Sequence, residues 1–226
     1  MEIKKLIDTV TGHGNFILYG PSGSGKTFSI STIPGKVLIL SAEKGLRTLV
    51  ELMPNVDVGD INTIADMREA YEFLLKDSLY TTVVIDSLSE LGEMALQEAM
   101  ETTRDGRMAY GSMAEKIAGI IKSFNSLPMT VIFIAQEERV AQELISQVDY
   151  VFAPSIPGKS FCAKVPYKLD YVFCLRTKVD DEGAMKRAFQ TGPNGDYLAK
   201  SRSQRLELME APNWEHIFNK LGQGVS

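Results

Sequence analysis

Few octapeptides limit a fold as tightly as Gly20-Pro21-Ser22-Gly23-Ser24-Gly25-Lys26-Thr27. It matches G-x-x-x-x-G-K-[ST] at every fixed position. It also stands where such a loop must, after the apolar run Asn15–Tyr19 and before a helix expected from Lys26. The residue types follow from the chemistry. Gly20, Gly23 and Gly25 let the backbone wrap closely and turn its N–H groups inward, making an anion nest at a helix N-terminus. Lys26 supplies a point charge for the β- and γ-phosphates, and Thr27 a hydroxyl for magnesium. Pro21, Ser22 and Ser24 complete the loop, and Phe28 follows it beside the same ligand. The expected cofactors are ATP and Mg2+.

A loop of this kind sits at the end of a covered strand, and the chain repeats the pattern. Short apolar runs recur at Asn15–Tyr19, Lys36–Leu40, Thr81–Ile85, Thr130–Ala135 and Tyr171–Leu175. Runs rich in Val, Ile and Phe without polar alternation fit strands buried on both faces. Helical segments are expected at Ile64–Leu75 and Ser89–Thr103. A third, Tyr110–Asn125, carries Met113, Ile117, Ile120, Ile121 and Phe124 as one stripe. Strands alternating with helices predict an α/β fold, a doubly wound, mostly parallel sheet. Past Asp149, shorter strands and prolines predict a C-terminal antiparallel extension of the same sheet. At 226 residues the chain is long enough for one α/β domain and short for two, so residues 1–226 are expected to form one domain.

Thr81–Ile85 places Asp86 at the carboxyl end of a buried strand, where open α/β sheets bind ligands. Its expected role is to hold the metal with Thr27. In the AAA+ class a Glu usually follows this Asp and polarises the attacking water, whereas here Ser87 follows. The base must come from elsewhere. Glu43, just after the run Lys36–Leu40, is the first candidate to align water, with Glu90 in reserve.

With these elements in place, the chain resembles the RecA-like P-loop ATPases. Four parts occur in that family's order: the phosphate loop, a strand ending in Ala42-Glu43, one ending in Asp86-Ser87, and one ending in Ile134-Ala135-Gln136. The resemblance implies that Gln136 senses the γ-phosphate and relays its presence to a DNA-binding loop. Ala199-Lys200-Ser201-Arg202 is similar to the Lys-x-Arg pair that RecA-like ring helicases insert into a neighbour's ATP site. Lys200 and Arg202 would then complete catalysis in trans, and the protein would assemble with itself as a ring or filament. The resemblance spans about Asn15 to Arg205. It is closest to the small single-domain RecA-like single-strand annealing recombinases of bacteriophages.

That family binds DNA through two loops. The first would be Arg104–Gly111, with Arg104 and Arg107 for phosphates and Tyr110 for stacking on a base. The second would follow Gln136, with Arg139, Lys159, Phe161, Lys164 and Lys168. The charge is uneven in the same sense. The net charge of −5 argues against coating nucleic acid by bulk attraction, but Lys159–Arg205 holds ten Lys/Arg against five Asp/Glu. The expected partners are single-stranded DNA, further copies of the chain, and a single-strand binding protein. No apolar run approaches membrane-spanning length, and the N-terminus lacks a signal-peptide pattern, so a cytoplasmic location without membrane contact is expected. Cys162 and Cys174 are expected as reduced core thiols, and His13, His216 and Trp214 as structural residues. Two rival readings are a small-molecule P-loop kinase and a binding module in which ATP is a clamp with negligible turnover.

Overall fold

The computed structural model describes residues 13–43, 51–53, 56–76, 79–140, 152–162 and 164–222. Among these residues ten strands form one sheet: β1 (Asn15–Gly20), β2 (Val37–Ser41), β3 (Asp57–Asp60), β4 (Thr82–Asp86), β5 (Thr130–Arg139), β6 (Phe152–Pro154), β7 (Tyr171–Val179), β8 (Met185–Gln190), β9 (Lys200–Ser201) and β10 (Met209–Glu210). The helices are α1 (Lys26–Ser29), α2 (Ile64–Lys76), α3 (Leu88–Thr102), α4 (Gly106–Phe124), α5 (Lys159–Cys162) and α6 (Trp214–Leu221). The main strand order is β10-β8-β7-β1-β5-β4-β2-β3. From β7 to β3 all neighbours pair in parallel. Strands β8, β10, β6 and β9 are antiparallel to their partners, which is the expected extension past Asp149.

The continuous apolar runs are explained by what covers each face. In β1, Ile17 and Tyr19 join Val83, Ile85, Val131 and Phe133 under α2, α3 and α4. The alternate residues Phe16 and Leu18 join Val84, Ile132 and Ile134 in a second cluster with Ile30, Trp214, Ile217 and Phe218. Phe16 stacks on Tyr171 at 4.5 Å between centroids and meets the edge of Trp214 at 5.3 Å. Burying each such side chain is worth about 1.5–3 kcal/mol, so this aromatic layer fastens α6 and the loop helix beneath the sheet. The fastening is also polar. The Trp214 indole N–H donates to Ser29 Oγ at 3.2 Å, and that hydroxyl donates to the Lys26 carbonyl at 2.7 Å.

Three boundaries differ from expectation, one of them β7, expected to end at Leu175, which runs to Val179 because it pairs with β8. Arg104–Gly111 is not a loop: α4 begins at Gly106, so Arg107 and Tyr110 are helical. Asp105 caps it, its carboxylate accepting from the N–H groups of Arg107 and Met108. Ala109 is fully buried one turn before Met113 and extends the stripe toward the N-terminus. Strand β5 does not stop at Ala135. It runs to Arg139 because Glu137–Arg139 pair with β6. Among the described residues no helix is long and apolar enough to cross a membrane.

Candidate functional site

The carboxyl ends of β1, β2, β4 and β5 open onto one cleft of about 820 Å³, lined by the phosphate loop, Glu43, Asp86, Ser87, Gln136, Glu137 and Arg187. Gly23 and Gly25 have φ of 75° and 103°, a region L side chains rarely enter, and that backbone turns the loop around the nest. Ser24 Oγ is buried and has no hydrogen-bond partner among the described residues. Lys26 Nζ donates to the carbonyls of Gly20 and Pro21 at 2.8 and 3.0 Å. Burial lowers its pKa, against the opposing pull of Asp86 and Glu43.

Thr27 Oγ1 donates to Asp86 Oδ2 at 3.2 Å, bringing together the two hard oxygen donors expected for magnesium. The site has one carboxylate, one hydroxyl and room for phosphate oxygens, which is the donor set magnesium takes beside a nucleotide. Asp86 is 5% exposed. Burial, reinforced by the Glu43 carboxylate, pushes its pKa up to about 6, with the Thr27 hydroxyl and Lys26 opposing. The backbone N–H groups of Ala42 and Glu43 both donate to the Asp86 carbonyl, at 2.7 and 3.2 Å. That fixes the Glu43 side chain over the cleft. Its Oε1 accepts from Ser87 Oγ at 2.5 Å and from Gln136 Nε2 at 3.1 Å. Glu43, just past the end of β2, thus stands beside Ser87, the residue that follows Asp86. Glu90 spends its N–H on the Ser87 cap of α3 and is not among the residues lining the cleft.

Gln136 is bound at both ends. Its N–H donates to Ser89 Oγ at 2.9 Å, and Ser89 donates to the Ser155 carbonyl at 2.6 Å. Strand β5 is thus tied to the start of α3 and to the segment after β6. Phe28 is 55% exposed at the mouth of the cleft.

Lys200 and Arg202 are elsewhere. Lys200 pairs with Val172, at the start of β7 and level with the start of β1, so it occupies the sheet edge opposite the loop. Its Nζ donates to the carbonyls of Pro166 and Leu169, and Arg202 pairs with Asp170 at 2.7 Å. Of the expected DNA contacts, Arg104, Arg107, Tyr110, Arg139 and Lys164 are exposed, and Lys159 opens α5. Phe161 is 7% exposed and cannot stack on a base without leaving the core. The two expected DNA segments do meet in space. A Cβ on Gly158 would come within 3.4 Å of the Tyr110 ring. Residues 141–151, which the second loop includes, lie outside the described residues.

Sequence reading passed over Arg187 and Glu137. Arg187 Nε donates to the Ser24 carbonyl at 2.8 Å. Glu137, whose pKa burial raises, faces the Cys174 thiol at 3.9 Å. Their signal was weak: Arg187 belongs to the antiparallel hairpin β7–β8 and no motif contains it. Cys162 and Cys174 are both free and buried, as expected.

This fold, with its phosphate loop and strand-end carboxylates, defines a RecA-like P-loop ATPase domain. Residues 14–203 match a family model described as AAA domain (AAA_24), and the chain belongs to that family. No curated protein matches it by sequence. Among solved structures it is similar in fold to the KaiC-like protein PH0186 from the hyperthermophilic archaeon Pyrococcus horikoshii OT3. The TM-score is 0.51 and the identity 15%, over 88% of this chain and 83% of that one. Membership of a P-loop ATPase family implies a bound nucleotide, typically with Mg2+.

Proposed function

We propose that this chain hydrolyses ATP, assembles with itself, and acts on single-stranded DNA in recombination or annealing. The observation that carries the reading is the shared bond of Glu43 Oε1 to Ser87 and Gln136. It joins the water-aligning group and the sensor at one oxygen, so a change at the γ-phosphate must be felt by both.

Lys26 leaves its two carbonyl partners for the phosphates, and Glu43 aligns water for in-line attack, a role of positioning more than proton removal. Thr27 and Asp86 are the residues that hold magnesium, which when bound supplies charge neutralisation at the phosphate oxygens. Displacing Gln136 from Glu43 moves β5, and with it Arg139 and the paired strand β6. That route leads to the exposed Arg104, Arg107, Tyr110 and Lys164, where the two basic segments adjoin. In this reading Lys200 and Arg202, which sit at the end of the sheet away from their own cleft, leave their present partners to reach another copy's.

The test is steady-state ATP hydrolysis with and without single-stranded DNA, with Lys26→Ala as the blank. Stimulation by DNA that vanishes in the blank is expected. Hydrolysis indifferent to DNA would overturn the coupling and point to a small-molecule phosphate acceptor. Tight ATP binding without turnover would favour the clamp.

A further inference from the structure

Arg187 lies outside every motif of the chain, yet its guanidinium rests on the phosphate loop. Besides the bond from Nε to the Ser24 carbonyl, the planar group lies against the last loop glycine. A Cβ on Gly25 would meet Nε at 3.3 Å and Cζ at 4.0 Å. Two other cations of the hairpin are used otherwise, and Lys178 is exposed. Lys186 pairs with Asp180, and Arg176 donates to Gln190 and covers the Tyr197 ring. Among the described residues no carboxylate pairs with Arg187.

The charge in the cleft sharpens the point. Glu43, Asp86 and Glu137 all line it, opposed by Lys26 and, at Glu137, by Arg176. A triphosphate is itself strongly anionic, so a further cation resting on the loop favours its binding beside these carboxylates. Position selects which phosphates are met. The loop backbone around Ser24 and Gly25 cradles the α- and β-phosphates, whereas Glu43, Asp86 and Gln136 gather where the γ-phosphate lies.

We propose that Arg187 binds the α- and β-phosphates in cis, with Nε kept on the Ser24 carbonyl and both Nη groups turned to the phosphate oxygens. The planar fork suits this double duty, which a lysine ammonium fulfils only in part. The proposal rests on the nucleotide-binding reading of the cleft. It makes the hairpin β7–β8 a part of each subunit's own site, distinct from Lys200 and Arg202, whose target is a neighbour.

Equilibrium binding of ATP and of ADP to the full chain, at low and high salt, tests it in the wild type, Arg187→Ala, Arg187→Gln and Arg187→Lys. Loss of a charge-assisted contact should weaken both nucleotides about tenfold or more in the Ala and Gln variants. Lys should retain part of the affinity, and the wild type should show the steeper salt dependence. If Arg187 only latches the loop, the Gln amide still donates to the Ser24 carbonyl, and wild-type affinity in that variant overturns the proposal. A loss confined to ATP overturns the α/β placement. Mixing Arg187→Ala with Lys26→Ala subunits should not restore hydrolysis, and restoration would show action in trans. A wild type that binds no nucleotide would instead sink the ATPase reading itself.

Discussion

Asp86→Asn should make the nucleotide-free protein more stable while abolishing its metal-dependent chemistry. The carboxylate is 5% exposed, and burial with the Glu43 charge raises its pKa from 3.8 to about 6. Each pH unit between those values is worth about 1.36 kcal/mol, so keeping Asp86 ionised in the fold costs about 3 kcal/mol. The sign follows from where protons sit. Below 3.8 the group is neutral in both states and costs nothing. As pH rises the unfolded chain releases its proton first, and stability is lost until the folded group ionises near pH 6. Asparagine preserves the shape and the acceptor for Thr27 without the charge. At pH 8 the variant should therefore gain about 3 kcal/mol, or about 6–12 °C in Tm for a chain of this size. The gain should shrink through pH 6 and vanish toward pH 4. Thermal or urea unfolding of both proteins across that range, free of nucleotide and magnesium, measures it. Titrating groups away from Asp86 cancel in the difference, and only its neighbours Glu43 and Lys26 add to it. A variant no more stable than wild type at pH 8, or a gain that does not change with pH, would refute the reasoning. Magnesium binding needs the carboxylate ionised, so magnesium-supported ATP binding should fall as pH drops below 6 in the wild type.

Three further outcomes follow from the site and its surroundings. Glu43→Gln keeps both hydrogen-bond partners but removes the charge; ATP binding should persist while single-turnover hydrolysis falls about 10²–10⁴-fold. Arg202→Ala breaks an ion pair whose arginine side chain is 59% exposed; its effect on unfolding should stay under about 1 kcal/mol. A large loss of hydrolysis in that variant, restored by mixing with Lys26→Ala subunits, would then report a role in a neighbour's site. Burial holds both Cys162 and Cys174 up at about 12; a thiol reagent at pH 8 should label neither in the native protein and both once urea unfolds it.

The parts legible in the sequence were those where one local rule and the tertiary structure agree. The phosphate loop needs glycines at fixed positions, and the covered strands need apolar residues on both faces, so the loop and the starts of those strands could be placed to within a residue or two. Glu43 was legible because a carboxylate just past a strand end in a parallel sheet has few places to point. The start of α4 was not. Gly106 and Gly111 read as loop, yet the Asp105 cap and the buried Ala109 outweigh their poor helix propensity. The extension of β5 depends on β6, a three-residue strand with a proline that no periodicity marks. Arg187 was hidden for the same reason. Its place at the loop is set by an antiparallel register, Thr177 opposite Arg187, which only long-range pairing determines.

The bond from Trp214 through Ser29 to the Lys26 carbonyl also makes the molecule its own optical gauge. The chain has a single tryptophan, so its tryptophan emission, excited selectively over the tyrosines, comes from one indole in one environment. That indole is fully buried, and its N–H is committed to the helix that begins the phosphate grip. Any tilt of α1 as the loop closes on a ligand must stretch or tighten this bond and alter the colour or yield of the light. Loading of the cleft can thus be followed without a dye from the far side of the sheet.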